Sequence, residues 1–385
     1  MRLTLLDGFR GYFLLFMTLT HVNFVLHAEL GYLSHHYLGW VEDAQGFVFL
    51  SGLVIGLVYG RRLIRGGVPA MRAATAARMR AIWSWHAGAV LAALSAALVL
   101  PLAGLAPDIL RQLAEEPVVF TLAALGLVTG PLHFGILPLY LWLMLATPFV
   151  LRAFRAGQAP AVFALSALLW MIAQTALPDQ AQLPVEASLA AAGHPINIGL
   201  YFNLFGWQVL YVAGLWFGWR MAQGKLDLSW LRTPPAAGVA AMAFAAVLLL
   251  AVYDVIFTFG FGAQDWRAWV FPTVDRGNLH VLYLFAFAVC LYLVAWIVVS
   301  GRPAPVARGM VWLFTRQVLT LLGRHSLQVF VAHLAVVYAL TIWAEGRDVS
   351  AALRNALYVL SPLPVFAMAV LRERWMAPGG ATAAA

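Results

Sequence analysis

Residues 3–27 read LTLLDGFRGYFLLFMTLTHVNFVLH, from Leu3 to His27, and this stretch decides the fold. It is long and apolar enough to cross a bilayer as a helix. Yet it carries an arginine, Arg10, and a histidine, His21. Ionisable groups inside a spanning helix are costly and face a bundle interior or a wet cavity. The two are 11 residues apart. That is close to three turns at about 3.6 residues per turn, so they share one face, separated by ~16 Å along the axis. A fixed cation near one membrane face and a titratable imidazole deeper in read as an anion-docking group leading to a general base. The competing reading is a snorkelling arginine and a histidine satisfied by a neighbouring helix.

The rest of the chain repeats the apolar pattern. Its 385 residues are 63% hydrophobic and 10% charged, against roughly 25% charged in a soluble domain. Apolar runs of about 20 residues alternate with polar loops and lack the two-residue period of a membrane β-barrel. The expected fold is therefore all-α, a polytopic transmembrane bundle of about ten spans. They fall near 4–27, 44–61, 81–103, 134–154, 159–177, 204–222, 236–258, 279–300, 319–343 and 351–372. The first run lacks a small-residue cleavage site and reads as a retained helix. Residues 1–375 read as a single integral-membrane domain, and 376–385 as a disordered tail. The one cysteine, Cys290, excludes an intrachain disulfide and a cysteine metal cluster.

The net charge of +8 reflects topology. With the N-terminus cytoplasmic, 17 of the 24 Lys and Arg residues fall on the inner side and 5 on the outer. This asymmetry gives an N-in, C-in arrangement. Nucleic acid is excluded as a partner, because no basic, aromatic-interleaved soluble domain exists to bind it. The lipid bilayer is the partner that composition demands.

Polar groups in or beside the spans are the candidates for chemistry. The inner segment from Arg61 to Arg80 holds Arg61, Arg62, Arg65, Arg72, Arg78 and Arg80. It reads either as an anchor on anionic lipid or as a site for a phosphorylated ligand such as a coenzyme. Before the second span stand Glu42, Asp43 and Gln45; within it Gly46, Gly52 and Gly56 permit close helix approach, and Ser51 can bond across that contact. His86 reads equally as a satisfied bundle histidine and a functional one. His133, Asn203 and Gln208 are further polar groups, and the outer half is the side from which an acceptor would come. Arg324, His325, Ser326, Gln328 and His333 share the stretch LGRHSLQVFVAH, whose helix start suits an anion. His35 and His36 invite a metal reading, but adjacent side chains diverge and no third ligand is expected near them; no metal is assigned. No P-loop, HExxH or GxSxG signature occurs.

Taken in order, LLDGFRG with His21, FVFLSGLVIGLVYG, RMRAIWSWHAG, HFGILPLYLWLMLATP, YFNLFGWQVLYVAG and LGRHSLQVF resemble the OpgC family, from the first span to the ninth. The wider set of integral-membrane acyltransferases carries an arginine, ten residues, then a histidine on the first helix, the spacing of Arg10 and His21. The resemblance implies acyl transfer. A succinyl group would pass from cytoplasmic succinyl-CoA to hydroxyls of osmoregulated periplasmic glucans, at a bacterial inner membrane and without a permanently bound cofactor. It implies that His21 is the catalytic base or a relay and that Arg10 holds the coenzyme phosphates or orients the thioester. Arg78 and Arg80 resemble a donor-site motif. The family pattern places a glutamate near Gln45; here the nearest carboxylates are Glu42 and Asp43, and the acid partner of the histidine stays open. The rivals are acetyl transfer to another envelope glycan and a non-enzymatic transporter lined by the same polar groups.

Overall fold

The computed structural model describes residues 2–37, 39–260 and 264–376; the tail expected to be disordered lies outside them from residue 377 onward. Helix accounts for 82% of the described residues, and no strand occurs among them. Hydrocarbon explains this: without water, a segment must satisfy its own backbone, which a helix does.

Seven described helices are long and apolar enough to cross a membrane: Thr4–Leu26, Asp43–Ala103, Ile136–Arg155, Pro234–Phe259, Val281–Ser300, Ser326–Ala344 and Ala351–Met376. The bent pair Ala159–Ala173 and Leu177–Ala191, 62° apart, would make eight. The difference from ten has local causes. The expected spans 44–61 and 81–103 form one helical stretch, Asp43–Val99, of 57 residues, broken at Gly67 with φ 69° and ψ −169°. At ~1.5 Å per residue this is far longer than a bilayer core of ~30 Å, so it has the length of two spans. The arginine-rich segment expected as a loop is thus helical on both sides of a glycine hinge that only a residue lacking Cβ adopts readily. The expected span 319–343 divides at His325 into Gln317–Arg324 and Ser326–Ala344. The helix Leu204–Ala222 matches its expected bounds.

The chain divides into two compact units, within Met1–Phe47, Asp227–Asp275 and His280–Ala385 for the first, and within Val48–Leu226 and Arg276–Leu279 for the second. In the first unit, the helix Arg2–Leu26 packs against Gln317–Arg324 and Ser326–Ala344. The approach is close enough that a Cβ on Gly11 would stand 1.9 Å from the Leu319 carbonyl oxygen, and one on Gly323 would stand 1.8 Å from that of Asp7. At its far end Val22 and Leu26 bury against Val337 and Tyr358. In the second unit, Gly52 and Gly56 rest on the Tyr211 and Leu215 carbonyls, so the close contact expected of these glycines is formed.

Candidate active site

The polar face of the first helix meets one stretch of chain. Arg10 donates from Nη2 to Ser326 Oγ at 2.5 Å. Three turns on, His21 Nδ1 lies 3.1 Å from His333 Nε2. Both partners rise in number with the first helix, so Arg2–Leu26 and Ser326–Ala344 run parallel. The expectation that Arg10 and His21 share a face holds. Leu14 and Met17, which stand between them on that face, are buried. Arg10 and His21 are thus separated by apolar packing and not joined by a polar lining.

The hydrogen-bond chain assigns the protons. His333 is wholly buried, and its Nδ1 lies 2.6 Å from the Phe330 carbonyl oxygen. A carbonyl only accepts, so Nδ1 of His333 carries a proton, and in the neutral ring Nε2 then presents a lone pair. With both rings neutral, His21 donates from Nδ1, which puts its own lone pair on Nε2. A base whose tautomer is held by a third group is the arrangement that hydroxyl activation requires. The carboxylate sought beside His21 is, among the groups bonded to it here, replaced by an imidazole.

Around Arg10 the site is charged. Asp7 Oδ1 lies 3.9 Å from its guanidinium, and the Phe47 ring lies 5.8 Å from Cζ. At the helix break, Glu373 accepts from Arg324 at 2.8 Å and pairs with His325 Nε2 at 2.5 Å. This carboxylate ties the end of Pro362–Met376 to the start of Ser326–Ala344 and so fixes Ser326, the partner of Arg10.

The segment between the first two helices turns back along Arg2–Leu26. His35 Nδ1 meets the Tyr12 hydroxyl at 3.3 Å, and His36 Nδ1 meets Thr20 Oγ1 at 3.1 Å and Ser34 Oγ at 2.8 Å. The two imidazoles do not diverge as expected: a short 3-10 turn, His35–Tyr37, brings their centroids to 4.5 Å. Nor is a third group missing. Asp43 Oδ1 lies 3.3 Å from His35 Nε2, and Oδ2 lies 3.0 Å from His36 Nε2. Gln45 is committed to the backbone, accepting from the Glu42 N–H and donating to the Tyr283 carbonyl, both at 2.8 Å.

In the second unit several candidates are engaged in hydrogen bonds within the fold. His86 is buried and donates from Nε2 to the Ala124 carbonyl at 3.0 Å. Asn203 caps Leu204–Ala222 by accepting from the Phe205 N–H at 3.0 Å and donates to Asn278 at 2.6 Å. Gln208 accepts from Ser166 Oγ and donates to the Ser166 carbonyl, both at 2.7 Å. Ser51 Oγ is buried without a hydrogen-bond partner among the described residues. His133 sits in the loop before Ile136–Arg155 with φ 68°, and burial pushes its imidazole down to about 4. Arg72 and Arg80 are exposed and Arg78 half-buried on the long helix.

Sequence reasoning passed over His333 as a partner, because 312 residues separate it from His21. The only available signal was a histidine seven residues beyond Ser326, two turns along the same face.

Fold and site together define a polytopic helical membrane protein with a part-buried imidazole pair and a guanidinium on one helix face. The chain belongs to the OpgC family, whose model, described as OpgC protein, matches residues 2–377, essentially the whole chain. Membership implies a transferase. No curated protein and no solved structure matches the sequence.

Proposed function

We propose that this protein is an O-acyltransferase of the bacterial inner membrane, moving a succinyl group from cytoplasmic succinyl-CoA to hydroxyls of osmoregulated periplasmic glucans. About ten spans, N-in and C-in, form its single integral-membrane domain over residues 1–375. The observation that carries the chemistry is the His21–His333–Phe330 chain, which directs the lone pair of His21 to Nε2. That nitrogen takes the proton of the acceptor hydroxyl as its oxygen attacks the thioester carbonyl. The carbon–sulfur bond then breaks, and the proton passes to the departing coenzyme thiolate. A thioester is already activated, so a placed base worth on the order of 10²–10⁴-fold and correct positioning supply the acceleration.

Arg10, three turns from His21, holds a coenzyme phosphate, and Arg72, Arg78 and Arg80 bind the others. Each guanidinium grips two oxygens at once. Glu42, Asp43, Gln45, Ser51 and His86 are the candidate acid or polar partners, of which Gln45 and His86 already bond backbone carbonyls. His133, Asn203 and Gln208 belong to the acceptor side, as groups that shape it.

The test is purified protein in lipid vesicles, given labelled succinyl-CoA and glucan. Ester on the glucan, lost in His21→Ala with the protein still inserted, is the expected result. Normal esterification by His21→Ala removes the base from the scheme. Glucan movement without a new ester turns the reading to a transporter, and ester from labelled acetyl-CoA alone changes the acyl group.

A further inference from the structure

We propose that His35, His36 and Asp43 form a binding site for a divalent transition-metal ion, with Zn²⁺ the best match. One potential ligand atom from each residue lies within 4.8 Å of the others. Asp43 is 2% exposed, and neither of its carboxylate oxygens has a hydrogen-bond partner. A buried carboxylate left without hydrogen bonds is strongly unfavourable. Here Nε2 of His35 and of His36 stand 3.3 Å and 3.0 Å from its two oxygens. Neither approach has hydrogen-bond direction. Two imidazole nitrogens and a buried carboxylate gathered without hydrogen bonds between them have the spacing of ligands around one ion.

The outer contacts agree. Each imidazole has its far nitrogen, Nδ1, on a hydroxyl: His35 on Tyr12, His36 on Ser34 and Thr20. In the tautomer with Nδ1 donating to these hydroxyls, the Nε2 lone pairs of both rings face the carboxylate, which is repulsive until a cation lies between them; Nε2 of His36 also lies 3.4 Å from Thr20 Oγ1. Metal-bound histidines are held in this way, with the remote nitrogen hydrogen-bonded and the ring orientation set. The position of Asp43 at the start of Asp43–Val99 explains a carboxylate there through the helix dipole. It does not explain two imidazoles gathered on it.

Two imidazoles and a carboxylate suit Zn²⁺; Mg²⁺ and Ca²⁺ prefer sets made of oxygen. Glu42 Oε2, 3.9 Å from His36 Nε2, places a second carboxylate nearby. The ligands come from both ends of the returning segment, so the ion would hold His35, His36 and Asp43 together beside Tyr12 and Thr20 of the first helix.

The experiment uses the full chain in detergent, freed of any polyhistidine tag and stripped with chelator. Zn²⁺ binding is measured by competition with a chromogenic chelator, and Co²⁺ binding by its visible absorption. The wild type should take about one ion per chain, with Co²⁺ bands of a nitrogen–oxygen set. Asp43→Asn and His36→Gln should bind at least ~100-fold more weakly, and Thr20→Val about 10-fold more weakly, the scale of an outer-shell loss. Thermal unfolding and size-exclusion elution report whether each variant folds. A wild type that takes up no Zn²⁺ against the competitor overturns the site without recourse to any variant. A folded Asp43→Asn protein that binds as tightly as wild type overturns it too. Both readouts are independent of acyl transfer.

Discussion

His21 Nδ1 lies 3.1 Å from Nε2 of His333, on a helix running parallel to its own. Because the other nitrogen of His333 is spent on the Phe330 carbonyl, this contact sets which nitrogen of His21 is basic. The polar face of the first helix therefore depends on a residue from the far end of the chain.

His333 is accordingly a positioning residue. His333→Leu removes the acceptor for His21 Nδ1–H and lets the tautomer relax. The rate constant for transfer should fall, by less than the ~10²–10⁴-fold attached to losing a general base outright. His333→Gln, which still offers an acceptor oxygen, should recover part of the loss. Steady-state kinetics on the two variants check this. Equal rates for Leu and Gln would mean that His333 only fills space.

Arg10 should separate binding from chemistry. Its guanidinium bonds Ser326 and lies near Asp7. A hydrogen bond to a charged group is worth about 1.5–3 kcal/mol, or roughly 10–100-fold. Arg10→Ala should raise KM for the acyl donor by about that factor and change kcat less. Arg10→Lys should recover only part, since it keeps the charge and loses the fork. Titration of donor concentration at fixed glucan is the measurement.

Gly323 should tolerate no side chain. The Cβ of Gly323→Ala would meet the Asp7 carbonyl oxygen at 1.8 Å, and backbone cannot yield as a side-chain tip does. We expect a loss of about 1–3 kcal/mol, seen as a lower Tm. Gly309→Ala, where nothing lies within 4 Å, should be neutral or gain up to about 1 kcal/mol.

His133 should make stability depend on pH. Burial pushes it from the ordinary 6.5 down to about 4. The unfolded chain thus takes up its proton first as pH falls. The stabilisation is full above about 6.5 and is lost between there and about 4, at roughly 1–3 kcal/mol for a half-buried group. His133→Asn, which suits the φ of 68°, should flatten that slope in thermal unfolding at pH 4.5 against pH 7.

Legibility differed by element. The helices Ile136–Arg155 and Pro234–Phe259 lie close to the bounds expected from apolar runs, because a membrane-crossing helix needs a long apolar stretch and little else. The break at Gly67 and the turn at His35–Tyr37 were not legible. Basic and polar residues there looked like ordinary loop. What makes them helix or hairpin is contact with distant chain, such as Tyr12 and Thr20 for the two histidines.

By itself the sequence determined the class of fold and the alignment of Arg10 with His21, since composition dictates membrane helices and helical geometry dictates which residues share a face. It could not determine what that face meets. His333 and Ser326 beside the first helix, and Asp43 beside His35 and His36, are products of tertiary packing. Hydrogen-bond partners of a buried side chain are selected by which helices touch, and apolar periodicity carries no address for that choice.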